Sequence, residues 1–276
     1  MGCSSDSPAG GTPTPVAPGT PVVTATPSAP PPSPTPAPQP TATQPPPTAT
    51  SVPPTEPPPT ATTAPAGPAR VLSRGPTSSR TVALTFDAGA DRGFAEQVLD
   101  TLKSNGVVAD FGLTGQWMEQ NPDLVARIAA EGYLVINHTY RHLSFTGVST
   151  SSAPLTQAQR WSELDRVEAL MQSLTGKSTR GFFRPPYGDY DASVNRDVGA
   201  RGYGVNVMWT VDSRGWMGIP AAEIVQRCLQ LAAPGAVYVF HVGAQSADAA
   251  ALPAIIQGLR AMNYSFVSVA DYAALQ

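Results

Sequence analysis

The chain has 276 residues, with 17 lysines and arginines against 20 acidic residues and a formal net charge of −3. That balance supplies no basic face for nucleic acid, and no stretch of eighteen apolar residues is present to span a membrane. Two cysteines, Cys3 and Cys228, are too few for a disulfide framework.

Residues 1–69 differ in kind from the rest. Of the 31 prolines, 23 fall between Pro8 and Pro68, and this stretch holds no Lys, Arg, His, Phe, Trp or Tyr. Without large apolar side chains it cannot offset its own ordering entropy, so it is expected to be a disordered Pro/Thr/Ala-rich tether. At ~3.1 Å per residue it would reach at most about 200 Å. At its start, Gly2-Cys3 followed by small polar residues resembles the cleavage end of a lipoprotein signal, and Cys3 is read as a lipid-bearing cysteine that would bring the chain to a membrane. The competing reading, N-myristoylation, wants Ser or Thr at the sixth position, where Asp6 stands.

Residues 70–276 carry 17 basic and 18 acidic side chains, a net of −1, and form one domain, expected to be monomeric. Taken in order, Thr81–Phe86 is a strand-like run, followed by Phe94, Val98 and Leu102 at helical spacing before Asn105-Gly106. Val108–Leu113 is a second strand, residues 121–128 a helix ending at Gly132, and Tyr133–Ile136 a third strand. Leu164, Val167, Met171 and Leu174 mark the longest helix, with Gly176 as its stop. Then come a strand at Gly181–Phe183, a helix near Ser193–Ala200 and a strand at Val205–Trp209. A helix at Ala221–Leu231, with Cys228 as a small buried hydrophobe, leads to a strand at Val237–Phe240. A helix at Ala250–Met262, a strand at Phe266–Val269 and a short closing helix complete the chain. Strands alternating with helices imply parallel βαβ units, and seven or eight of them predict a distorted or incomplete (β/α) barrel.

All three histidines stand where this residue type can do chemistry: His138 and His142 in NHTYRH, His241 just after VYVF. A lone histidine is more often a satisfied core residue. Here, however, Asp87, His138, Arg184, Trp209 and His241 each fall at or just beyond the C-terminal end of a different predicted strand, the rim where barrels assemble active sites.

The segments TFDAG, HTYRH, RPPYG, WTVDSRGW and VYVFH, in that order and with the closing NYSFVSVADYAAL, resemble the motifs of the polysaccharide deacetylase family. This family is also called NodB-homology or carbohydrate esterase family 4, and the resemblance runs over Ser79–Gln276. Independently of it, two histidines four residues apart can ligate one divalent ion, expected to be zinc, with cobalt or manganese as alternatives. Such an ion makes hydroxide available near neutrality. Asp87 is then the candidate base, and His241 the one histidine left to protonate a departing amine.

The resemblance implies further roles. Arg184 would orient the base, the backbone N–H of Tyr187 would help hold the oxyanion, and Trp216 would line a sugar groove, with core packing the plainer account of Trp209. It also implies a polysaccharide substrate in the cell envelope, most naturally peptidoglycan, with chitooligosaccharides or acetylated xylan as alternatives and a non-catalytic glycan binder as the rival of another class.

Two positions depart from the family pattern. Ala88 stands where the family has a third, aspartate metal ligand. Asp91 is the expected substitute, with Asp87 and solvent as the alternative, while a helix N-cap is the ordinary role for Asp91 at this place. Gly215 precedes Trp216 where the family has the aspartate that tunes the histidine acid, and Asp212 is the expected replacement, with a less well oriented His241 as the alternative.

Overall fold

The computed structural model describes residues 67–275 except Ala90. Residues 1–66 of the proline-rich tether, Cys3 among them, lie outside the described residues.

The chain enters through β1 (Arg70–Leu72) and β2 (Thr81–Ala88), then α1 (Ala95–Ser104), β3 (Asp110–Leu113), α2 (Gly115–Gln120), α3 (Pro122–Ala130) and β4 (Leu134–Asn137). A long loop leads to α4 (Gln157–Thr175), β5 (Phe182–Phe183), α5 (Ala192–Ala200), β6 (Val205–Val207) and β7 (Val211–Asp212). The last units are α6 (Ala221–Gln230), β8 (Val237–His241), α7 (Asp248–Ala261), β9 (Ser265–Phe266) and α8 (Val269–Ala274). The strands run in the order β1-β6-β5-β4-β3-β2-β8-β7, with β9 added to the start of β2. Every pairing between these strands is parallel. Beyond β1, Arg74 forms an antiparallel bridge with Ala236 just before β8, and Gly75 N donates to Gly235 O. The fold is therefore the expected incomplete (β/α) barrel.

β2 is the central staff. Its residues Val82–Ala88 are all buried, as a strand flanked by two parallel neighbours and covered by helices should be. Phe86 stacks between Phe111 of β3 and Phe240 of β8, at centroid separations of 5.5 and 5.2 Å. The core on this side is completed by Val98, Leu99 and Leu102 of α1, Ile128 of α3 and Leu252, Ile255 and Ile256 of α7. Each such side chain contributes about 1.5–3 kcal/mol when fully buried, so the strand end that carries Asp87 stands on a rigid base.

Several elements differ from expectation. β1, α2 and β7 are too short to show a period in sequence. β3 starts at Asp110, not Val108, which is exposed. The run 266–269 is divided between β9 and α8, because Ser268 caps α8 in a reciprocal arrangement with Asp271. α7 begins at Asp248, two residues earlier than the apolar pattern indicated.

Candidate active site

Asp87, next to last in β2, lies opposite Gly112 of β3 on one side and His241 of β8 on the other. The missing side chain at Gly112 is a requirement, since a Cβ there would sit 2.2 Å from Asp87 Oδ1. Arg184, fully buried just past β5, donates from Nη1 to Asp87 Oδ1 at 2.7 Å, from Nη2 to Thr85 Oγ1 at 2.9 Å and from Nε to Val207 O at 3.0 Å. Burial alone would raise the Asp87 pKa, but Arg184, His138 and His241 together outweigh it and hold the carboxyl below its ordinary value.

His138 follows β4 and is buried, with Nδ1 at 2.9 Å from Arg184 O. That carbonyl can only accept, so the neutral ring carries its proton on Nδ1 and leaves the Nε2 lone pair free, 3.7 Å from Asp87 Oδ2. The ring of His142 stands edge-on to it, with centroids 4.8 Å apart. The intervening loop is not helical: Thr139 and His142 have φ of 66° and 59°. Asn137 Oδ1 accepts from Thr139 N, Thr139 Oγ1 accepts from His142 N, and the first turn of α2 donates from Gly115 N and Gln116 N to the carbonyls of Thr139 and Tyr140. The unanticipated helix α2 is thus the support of the histidine loop. Its sequence signal was Thr114, which caps it by accepting from Trp117 N. Burial lowers the pKa of both imidazoles, that of His142 to about 3, so both are neutral at pH 7 and free to ligate.

His241 lies across the same cleft, a space of about 740 Å³ that Asp87, Asp91, His138, His142, Tyr187, Trp209 and Trp216 also line. Tyr187 has φ 62° in a tight turn after Pro185-Pro186, and its exposed ring packs 4.7 Å from that of His142. Trp216 is 54% exposed and donates from Nε1 to Asp212 Oδ2 at 3.4 Å. Trp209 lines the cleft and also packs into the core beside Val207 and Val269.

Asp91 lines the cleft but is not the cap of α1, whose cap residue is Phe94 with no side-chain bond. Its Oδ1 instead accepts from Ala244 N at 2.9 Å, joining the loop after β2 to the loop after β8. Among the described residues, no three His, Cys, Asp or Glu side chains stand ready-grouped for a metal. The two histidines with free ring nitrogens, facing an ionised carboxylate, nevertheless form a donor set suited to a divalent ion.

Asp212 does not reach His241 by any contact seen: its carboxylate accepts from Arg214 N at 2.8 Å and from Trp216 Nε1. The carboxylate beside His241 is Asp248, fully buried at the start of α7, which accepts from His241 N at 2.8 Å and from Ser213 Oγ at 3.0 Å. Sequence reasoning passed over it, although an acidic residue opening a helix after the histidine loop was there to be seen.

The family model described as polysaccharide deacetylase matches residues 74–205. The peptidoglycan-N-acetylmuramic acid deacetylase PdaA of Bacillus subtilis is 32% identical over 202 residues, covering 71% of this chain and 73% of that protein. The chain belongs to the polysaccharide deacetylase family. A peptidoglycan-N-acetylglucosamine deacetylase of Bacillus cereus is also 32% identical, over 198 residues, covering 71% of this chain and 69% of that one. The solved structure of the Bc1960 peptidoglycan N-acetylglucosamine deacetylase superposes with a TM-score of 0.67 at 30% identity, over 73% of this chain and 92% of that one. As a family member the chain is a deacetylase of the hydrolase class. Against the deacetylase pattern, Ala88 is 1% exposed and part of the core.

Proposed function

We propose that this deacetylase removes acetyl groups from the N-acetylated amino sugars of peptidoglycan, using a divalent ion held by His138 and His142. The observation that carries the reading is the buried Arg184–Asp87 pair facing two neutral histidines, with His241 lining the same cleft. The ion, zinc in the first instance, supplies Lewis acidity and water of lowered pKa when bound. Asp91 or Asp87 would complete its ligand set.

The chain's own residues supply the rest. Arg184 fixes Oδ1 of Asp87, leaving Oδ2 to take the proton of the attacking water. His241 turns its Nδ1 away from the cleft toward Asp248, so Nε2 is the atom that hands a proton to the departing amide nitrogen. The backbone N–H of Tyr187, in a turn with positive φ, would donate to the developing oxyanion. Trp216 and Tyr187 offer exposed rings on which sugar faces stack.

The peptidoglycan assignment draws on the substrates named for the relatives and on the long tether. No helix of the described residues is long and apolar enough to cross a membrane. Acylation of Cys3 would hold the enzyme at the cell envelope. A Cys3→Ser variant should then leave the membrane fraction.

The test of function is acetate release from peptidoglycan sacculi, N-acetylglucosamine oligomers and acetylated xylan, with chelator and with added zinc. Fastest release from sacculi, lost on chelation and restored by zinc, is expected. Binding of sacculi with no acetate released under any metal would mark a glycan binder, the outcome that Ala88 would then explain.

A further inference from the structure

Two buried polar atoms beside the cleft have no hydrogen-bond partner among the described residues: Nδ1 of His241 and Oδ1 of Asp248. They belong to neighbouring side chains, with His241 Nδ1 4.0 Å from Asp248 Oδ2. A buried ring nitrogen left unpaired is costly, and this carboxylate is an acceptor within a small shift of it. Asp248 is already anchored to the same residue, because its Oδ2 accepts from the His241 backbone N–H.

Gly215 shows what this arrangement requires. A Cβ at that position would fall 2.4 Å from Asp248 Oδ1, 2.5 Å from its Cγ and 2.3 Å from Ser246 Oγ. The Asp248 carboxyl therefore occupies the space into which any side chain at 215 would begin to project. The 213–215 turn also holds that carboxyl, through Ser213 Oγ, which in turn accepts from Gly215 N at 3.1 Å.

We propose that Asp248 is the positioning residue of His241: its carboxylate, delivered by the first turn of α7 into the space left by Gly215, accepts from Nδ1 and aims Nε2 at the substrate. A carboxylate behind an imidazole fixes the tautomer and steadies the imidazolium form. The N-terminal end of α7 favours the negative charge on Asp248, against burial, which raises its pKa. The other charged or titratable groups about the pair are Asp87, His138 and His142, which interact with His241, Asp91 and Asp212, which line the same cleft, Arg214 and Arg227, which bond Asp212, and Cys228, which interacts with Asp248. None of these is bonded to Nδ1.

The inference rests on His241 as proton donor, so one arm of its test is independent of turnover. In the full-length protein labelled with ¹⁵N, the three histidines are few enough to assign with a His241→Gln control. Neutral His241 should carry its proton on Nδ1, and Asp248→Ala should move it toward Nε2. A wild-type His241 protonated on Nε2 overturns the proposal. If wild-type protein releases no acetate, the functional reading fails while this arm still judges Asp248.

In the kinetic arm, Asp248→Asn should lower kcat on the order of 10-fold or more, leave KM and metal content within about twofold, and move the alkaline limb of the kcat profile to lower pH. An unchanged kcat and limb overturns the proposal. Should Asp248→Asn not fold, the triple variant Gly215→Asp/Ser246→Ala/Asp248→Ala returns a carboxylate from the other side. Recovery of kcat and of the limb over Ser246→Ala/Asp248→Ala supports the proposal, and a folded triple variant with no recovery counts against it.

Discussion

Arg184 Nη1 and Asp87 Oδ1 are joined at 2.7 Å between side chains that are almost wholly buried, and the same guanidinium is fixed by Thr85 and by the carbonyl of Val207. Three directed bonds from one planar group cannot be reproduced by an ammonium. Arg184→Lys should therefore lower kcat at least 10-fold although it conserves charge. Arg184→Met leaves a buried carboxylate alone and should destabilise by about 3–5 kcal/mol. Acetate release and urea unfolding measure the two effects separately.

Asp87→Asn tests the base directly. It should reduce kcat by on the order of 10²-fold or more with metal still bound. Gly112→Ala reaches the same carboxylate without touching its chemistry, because the added Cβ meets Oδ1 at 2.2 Å. It should impair turnover far more than a glycine-to-alanine change in a strand normally affects stability. A Gly112→Ala enzyme of normal kcat would show that the position of Asp87 is not critical.

The strand ends of this site were legible in the sequence because β2, β4 and β8 are apolar runs that stop at a polar residue, and a barrel gathers such ends on one rim. What escaped were contacts that no periodic pattern or motif marks, whether near in sequence or far. Asp248 meets His241 only because α7 starts within reach of the end of β8, and α2 is too short for its apolar positions to show a period. Asp91 looked like a helix cap because it precedes α1, yet its acceptor oxygen is taken by Ala244, more than 150 residues away in sequence. Side-chain partners across such distances leave no local pattern to read.

Trp216 is exposed and, among the described residues, its ring bonds to Asp212 alone, so little of the fold depends on it. Trp216→Ala should raise KM for oligosaccharides with kcat nearly unchanged, the signature of binding shared by ground and transition states. Thermal melting should shift little.

The third ligand can be located by metal titration. His138→Ala and His142→Ala should each abolish tight zinc binding while the circular dichroism of the barrel is retained. If Asp91 is the third ligand, Asp91→Ala should weaken zinc almost as much, and Ala88→Asp should restore binding in that background. If Asp91 serves only as acceptor for Ala244 N, its loss should cost about 1 kcal/mol of stability and leave zinc untouched, and Asp87 then takes the place.

Asp110 gives the fold a pH dependence of its own. At the start of β3 its buried carboxyl accepts from Ser268 Oγ at 2.7 Å and from Val269 N at 2.8 Å, pinning α8 to the foot of the barrel. Burial pushes its pKa up to about 7 despite those donors. An acid whose folded pKa exceeds its unfolded value of 3.8 binds its proton more tightly in the native state. Its stabilising effect is therefore full below about pH 4 and is lost as pH rises toward 7, at no more than about 1.4 kcal/mol per pH unit. Wild-type protein should lose melting temperature between pH 5 and 8 relative to Asp110→Asn, which keeps an acceptor for Val269 N but cannot ionise. Thermal melts of the two proteins across that range check it, and a constant difference between them would show that Asp110 keeps the same charge throughout.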